Sequence, residues 1–568
     1  MSRDGTRQSP TTSHENIMLC LSHPRALDIA ASSVADFFRA HPEAGSFAFS
    51  APDHAAICWC ASCRARCNGF EQDSGLGESI SDLYFNFVNH LAWRVNESFP
   101  GKRLVTLAYA TRVWPPEDLD RAWNTNLLVY LAQLRVSAVR PLGDPTDVFA
   151  LRRARTVEAW DRLASGLVIY DYDPHADLSR MPYWRSRAIA EEMRHYRSRG
   201  IIGFTTEGYY AILRSGLNYY LRARCMWNPD VDSDALVTDF AERFFGPAAD
   251  SMKAYLEAVE TMLRQTPDAI TWHPYNLDWT PTFPPDKVAA LTPLLDRAQQ
   301  AADTPACAVR VRAFRLLHEY MSAYLDIHAL AREGRFAEAL RKADDLAPLM
   351  AEAEAIQPGL LPPDPNWVLN EGNGLASLTN ALAAWAARAG GALGDVLGRA
   401  PEHAGFLKDP GNIGLFEQWQ RPEVGSRLAW DSVSLDRDWG LNGYRDGQGY
   451  AYDGVGWYRV VIPVPSDWRG RARLLAPLVF AEQAWIWVNG RLVFSPTRIG
   501  GDPVSGPSPG KAVMMDRRGY GSIEVDVQDL LVRGADNVVT FRIKGSRVRT
   551  QHRGLAARPW IWAARSVP

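Results

Sequence analysis

The sequence predicts an α/β fold of the (β/α)8 TIM-barrel type that lacks its first strands, followed by a helical region and a C-terminal β-sandwich of galactose-binding, jelly-roll-like form. Three observations predict it. Six short runs of β-branched and aromatic residues, at 17–21, 46–50, 104–109, 127–131, 167–172 and 201–205, each turn polar or aromatic at their C-terminal ends. The segments between them are long enough for crossover helices, which makes the runs neighbouring parallel strands with a functional rim at their C-terminal ends. Beyond about residue 400 the composition shifts to short β-rich segments punctuated by Gly, Asp-Gly and Asn-Gly. The corresponding domains are 1–280, 281–400 and 401–568.

The first element is the run at 17–21, preceded by a polar stretch, 1–15, without periodic signal. A closed barrel of this type needs eight strands, and only six are found. Two β/α units are missing from the N-terminus, two strands escape the pattern, or the sheet is open; the low-signal start favours the first. Helices are expected at 31–39 and 81–98, the second with Leu83, Phe87, Leu91 and Val95 spaced by four, and again at 157–164 and 184–199. After Glu207 the alternation stops. Helices then follow at 217–226, 233–245, 250–265, 285–302, 308–330, 336–355 and 374–399, with Asp232 or Ser233 before the second and Gly246-Pro247 after it. The sandwich strands lie within 456–462, 473–477, 484–494, 521–527 and 537–544. In the third of these, Trp485, Trp487 and Asn489 share one face ahead of an Asn-Gly hairpin turn. That face either binds sugar or, the preferred reading, packs the sheet.

The chain holds 568 residues with a formal net charge of -3 and interspersed signs. This length suits three domains, and the charge gives no footprint for nucleic acid or an anionic membrane. No apolar stretch reaches the roughly 18 residues of a membrane span, and no signal peptide is visible. Residence is cytoplasmic if the N-terminus is authentic, secreted or periplasmic if it is truncated. Phosphate-loop and dinucleotide signatures are absent from the sequence.

The principal candidate residue is Glu207, which closes the last strand-like run in Gly-Phe-Thr-Thr-Glu-Gly-Tyr-Tyr. Enclosed by Phe204, Tyr209 and Tyr210, it would be partly desolvated and keep a proton available near neutrality. The alternative is a salt-bridged glutamate capping the next helix. A second feature is the thiol cluster Cys58, Cys60, Cys63 and Cys67. Tetrahedral zinc takes four such ligands, although only Cys60-Ala-Ser-Cys63 has the common spacing. A structural zinc, free or buried thiols, and one or two disulfides are the three readings.

Several phrases together resemble a bacterial family, the domain of unknown function 4838: Met18-Leu-Cys-Leu-Ser22, Ser50-Ala-Pro-Asp53 with Cys58-Trp-Cys60-Ala-Ser-Cys63, Phe87-Val-Asn89, Leu107-Ala-Tyr109, Pro115-Pro116, Gly200-Ile-Ile-Gly203, Glu207, and Trp227-Asn-Pro-Asp230 with Phe240 and Phe245-Gly246. The resemblance covers about residues 17–280. It implies a glycoside hydrolase similar to endo-β-N-acetylglucosaminidases, acting on an oligosaccharide or glycan, and it implies further sequence before this point.

Glycosidic cleavage needs a proton donor and a second group that attacks the anomeric carbon or activates water. Glu207 is the expected acid. Asp53 first and Asp171 second are candidates for the other carboxylate, which in a substrate-assisted route would orient the acetamido group; an Asx-turn role for Asp53 stands beside this. Asp173-Pro174 reads as a turn. Tyr109, Trp114, Tyr170, Tyr172, Tyr209 and Trp272 offer faces for stacking on sugar rings, and Gln133 and Arg135 offer polar contacts. No cofactor is expected for catalysis. Non-catalytic glycan binding and an inactive barrel fragment are the alternative functions.

Overall fold

The computed structural model describes residues 19–565 apart from 53–57, 70–77, 135, 138, 173–180, 208–211, 267–278, 281, 362–374, 446–450, 482, 496–497, 500–501, 504–519 and 546–552. It is a mixed α/β chain with a parallel half-barrel sheet and separate antiparallel sheets. Two compact units form, one from 1–274, 281–318 and 353–361, the other from 275–280, 319–352 and 362–568.

In the first unit, β1 (Ser46–Ala48), β2 (Arg103–Tyr109), β3 (Leu127–Ala132), β4 (Leu167–Asp171) and β5 (Gly203–Thr206) pair in sequential order. All four pairings are parallel. These are five of the six expected strands. In the run at 17–21, the described residues Leu19 to Leu21 form no strand; the Cys20 carbonyl accepts from the His23 amide at 3.0 Å instead. That turn feeds directly into α1 (Pro24–Ala40), which starts with His23 as cap and a proline in its first turn.

The sheet has two different faces, and the register defines them. Leu104, Thr106 and Ala108 align with Leu127, Val129 and Leu131, and these with Leu167 and Ile169. All are buried. On the other face Val105, Leu107, Tyr109, Leu128, Tyr130 and Tyr170 are half-buried. The buried face meets the helices: Thr106 Oγ1 lies 2.8 Å from Tyr84 Oη on α3 (Ser81–Ser98).

The connection from β2 to β3 contains no α-helix, because Pro115-Pro116 interrupts it and its backbone finds partners elsewhere. Asp82, Asn86 and Asn89, spaced by four and three on α3, accept from the amides of Glu117, Asp120 and Asn124 at 2.7, 2.7 and 2.9 Å. Asn89 also donates to the Arg121 and Ala122 carbonyls. The other crossovers are helical: α4 (Val148–Asp161) lies between β3 and β4, α5 (Ser186–Ser198) between β4 and β5, and α6 (Ile212–Trp227) follows β5. The helix expected at 157–164 begins earlier because the Asp147 carboxylate caps the Phe149 and Ala150 amides.

The helices that follow are α7 (Ser233–Phe245), α8 (Ala249–Gln265), α9 (Pro285–Ala289), α10 (Thr292–Ala301), α11 (Pro305–Arg332), α12 (Phe336–Asp344), α13 (Leu346–Ile356) and α14 (Leu375–Arg388). Two expected helices divide. Pro293 sits in the first turn of α10 and Pro348 in the first turn of α13, positions where a continuous helix would need the missing amide. The helix expected to run to 399 ends at Arg388. Gly390 takes a φ of 92°, and 394–399 becomes a strand.

That strand is β6 (Gly394–Arg399). It is followed by β7 (His403–Asp409), β8 (Asp431–Ser434), β9 (Val455–Pro463), β10 (Arg471–Phe480), β11 (Gln483–Val488), β12 (Arg491–Phe494), β13 (Arg498–Ile499), β14 (Asp502–Pro503), β15 (Tyr520–Asp526), β16 (Asp536–Lys544), β17 (Gly554–Leu555) and β18 (Trp560–Ala564). One sheet runs β15-β10-β18-β6 with β17 on β10, and the other runs β12-β11-β16-β9-β7-β8. Phe406, Val460, Leu474, Ile486, Phe541 and Ile561 belong to one buried cluster that draws on both sheets. The β11–β12 hairpin turns on Asn489 and Gly490, with φ of 49° and 80°, the two positive values of a type I′ turn.

Candidate functional site

The candidate site lies at the C-terminal ends of β4 and β5. Glu207 follows β5 directly and is half-buried. The Tyr170 hydroxyl donates to Glu207 Oε1 at 2.7 Å, and the Tyr219 hydroxyl of α6 donates to the Glu207 carbonyl at 3.3 Å. Tyr170 and Tyr172 meet edge to face with centroids 5.5 Å apart. Alternation along the strands puts Tyr170, Thr205 and Glu207 on the half-buried face.

The same alternation sends Asp171 the other way. It is 2% exposed, and its Oδ2 accepts from Arg153 of α4 at 2.7 Å and from Arg222 of α6 at 3.5 Å. Its Oδ1 accepts from the Tyr172 amide at 2.7 Å. Glu192 of α5 pairs with Arg185 and lies 3.9 Å from Arg153, which extends the buried network. Burial alone would push the Asp171 carboxyl upward, but the charges of Arg153 and Arg222 outweigh it and hold the group well below the usual carboxylate range. Asp171 was expected to face the rim with Glu207, and it lies instead on the helix side of the sheet, paired with Arg153 and Arg222.

Phe204, expected to enclose Glu207, also turns to the helix side, where the Arg222 guanidinium lies 4.5 Å from its ring centroid. Tyr109 ends β2, with Arg112 5.7 Å from its ring. Trp114 is half-buried, and its carbonyl accepts from Ser81 Oγ at 2.8 Å. Gln133 follows β3 and is buried, as is Tyr172. Asp53, Arg135, Tyr209, Tyr210 and Trp272 lie outside the described residues. The segment leading to Asp53 is nevertheless anchored. The Ala51 amide donates to Tyr84 Oη at 3.1 Å, and Arg112 donates to the Ala51 carbonyl at 3.4 Å.

Sequence reasoning missed Tyr219 and the Arg153, Arg222 and Glu192 network. The only available signal was the presence of charged residues within helices flanking the strands. An apolar groove of about 510 Å³ lies elsewhere in the unit, bordered by Leu19, Ile29, Phe47 and Phe49, and none of the rim residues lines it.

Of the four thiols expected to group together, Cys58, Cys60 and Cys63 do so, joined by Cys20. Cys67 does not join them; its thiol donates to the Cys63 carbonyl at 3.5 Å. In the sandwich, Trp487 stacks on Trp457 at 5.5 Å and Trp485 lies under the Arg542 guanidinium at 4.0 Å. The packing reading holds for Trp487, which is buried.

A family model described as a domain of unknown function (DUF4838) matches residues 1–257. No curated protein matches the chain. Among solved structures, the β-glucuronidase of Ruminococcus gnavus aligns at 16% identity and a TM-score of 0.23, over 30% of this chain and 29% of that one. Its complex with D-glucuronic acid aligns at the same identity and TM-score over 30% of each chain. The chain thus spans less than a third of the length of these structures, and a likeness of this extent carries no argument about fold or activity.

Proposed function

We propose that the protein is a glycoside hydrolase acting on a β-linked N-acetylhexosamine or related glycan linkage, with Glu207 as its acid/base carboxyl group. The observation that carries the reading is the placement of Glu207: at the C-terminal end of a parallel strand, on the half-buried face, with Tyr170 donating to it at 2.7 Å. In this reading the half-barrel belongs to a (β/α)8 barrel, where catalytic groups sit on that rim, while 281–400 and 401–568 form helical and accessory domains. Glu207 would protonate the leaving oxygen, and Tyr170 would fix the rotation of its carboxyl group. Tyr109 and Trp114 are the proposed stacking surfaces from the described part of the rim, with Tyr209 and Trp272 added from the sequence.

With Asp171 committed to Arg153 and Arg222, the second role falls to Asp53, either as the nucleophile or base or as the group that orients a substrate acetamido. Non-catalytic glycan binding is the second reading, favoured by that same commitment of Asp171. Incubation with a defined glycan panel, with products identified by mass, separates the two. Hydrolysis at an N-acetylhexosamine supports the enzyme, whereas retention of an intact glycan without products supports binding alone.

A further inference from the structure

The geometry points to a structural zinc site formed by Cys20, Cys58, Cys60 and Cys63, which ties the chain ahead of α1 to the loop that follows β1. All four sulfurs lie within 4.8 Å of one another. Two of the separations, Cys20 to Cys60 at 3.7 Å and Cys20 to Cys63 at 3.8 Å, match the edge of a tetrahedron. Zinc–sulfur bonds of about 2.3 Å set tetrahedral sulfurs about 3.8 Å apart. A disulfide would require sulfurs about 2.0 Å apart, and it would join only two of the four.

The local structure provides what a tetrathiolate centre needs beyond its ligands. Cys60 caps the short helix α2 (Ala61–Arg64), and its sulfur accepts from the Cys63 amide at 3.4 Å. Ser22 Oγ lies 3.1 Å from the Cys63 sulfur and 3.5 Å from those of Cys20 and Cys60, so its hydroxyl can donate to a thiolate. These donors spread the excess negative charge of four thiolates on a divalent ion. Cys58 and Cys63 are buried while Cys20 and Cys60 are half-buried, which shields the centre yet leaves a path for the ion to enter. Four protein ligands close the coordination sphere, so the metal braces the fold and takes no part in chemistry. The loop it braces also carries Asp53 in the sequence.

The ligand set differs from the one that sequence proximity suggests, and this makes it testable. Protein produced in zinc-supplemented medium and purified without chelator should hold about one zinc per chain, with about four sulfur neighbours at about 2.3 Å by X-ray absorption. Cobalt(II) exchanged into the unmodified protein should give the intense visible bands of a tetrahedral tetrathiolate. Cys67→Ser should keep both signatures. Cys20→Ser should lose the tetrathiolate spectrum and bind metal at least about tenfold more weakly, since even outer-shell losses cost about that much. Zinc below about 0.1 per chain, far from the full occupancy of a structural site, together with no cobalt bands, would overturn the site. Nitrogen or oxygen neighbours in the unmodified protein, or metal lost from Cys67→Ser but kept by Cys20→Ser, would overturn the ligand set. Because the absorption measurements use the unmodified chain, a variant that fails to fold does not remove the test.

Discussion

Glu207 and Asp171 are joined through the backbone, the Glu207 amide donating to the Asp171 carbonyl at 3.2 Å, yet their side chains leave the sheet on opposite faces. Two carboxylates this close in the sheet invite pairing as a catalytic couple. Strand alternation forbids it, because one meets Tyr170 on the half-buried face and the other meets arginines among the helices.

Replacing Tyr170 with Phe removes the hydrogen bond to Glu207 and leaves the ring in place. A hydrogen bond of this kind is worth about 0.5–1.5 kcal/mol, so turnover should fall roughly twofold to tenfold while thermal stability changes little. Steady-state kinetics with a melting curve on the same preparation checks this. An unchanged kcat would remove Tyr170 from the site.

Asp171→Asn should destabilise the first unit by about 3–5 kcal/mol, because Arg153 and Arg222 would lose the buried carboxylate that they share. Urea unfolding measures the loss. A cost below about 1 kcal/mol, the range of an exposed pair, would show that the network is not what holds α4 and α6 to β4.

The pH dependence has a definite sign. The folded Asp171 carboxyl lies below its unfolded value, so its contribution is complete above the unfolded pKa of about 3.9 and is lost as pH falls through the lower folded value. The stability difference between the parent and Asp171→Asn should stay constant from about pH 7 to pH 5 and shrink below about pH 4. A difference that shrinks already between neutrality and pH 5 would contradict the assignment.

Trp487→Ala should cost the sandwich about 3–5 kcal/mol through the cavity left by its buried ring, which stacks on Trp457, and leave glycan turnover unchanged. Denaturation followed by tryptophan fluorescence reports the first effect and the glycan assay the second. A loss of glycan binding at unchanged stability would return this face to sugar recognition.

Local patterns made five strands and the position of Glu207 at the end of β5 legible, since apolar runs ending in polar residues mark a strand and its C-terminal end. The side of the sheet that Asp171 faces was not legible. It depends on which alternate residues meet helices, and the decisive partners, Arg153 and Arg222, are remote in sequence. Cys20 was hidden for the same reason: it lies 40 residues before Cys60, whereas Cys67 stood conspicuously inside the cluster. The overlong helix at 374–399 came from alanine-rich periodicity overruling Gly390-Gly391, where a positive φ ends the helix. The segments between the strands were expected to hold crossover helices, and the link from β2 to β3 holds none; its dependence on Asp82, Asn86 and Asn89 emerges only when α3 is placed beside it.

The most direct test compares the parent with Glu207→Gln on two glycosides of one sugar, one with a good leaving group and one with a poor one. General-acid assistance is worth about a hundredfold or more where the leaving group needs a proton. The account predicts at least that loss on the poor leaving group and a much smaller loss on the good one, with folding preserved. Equal turnover by parent and variant on both glycosides would contradict the role of Glu207 and with it the proposed reaction.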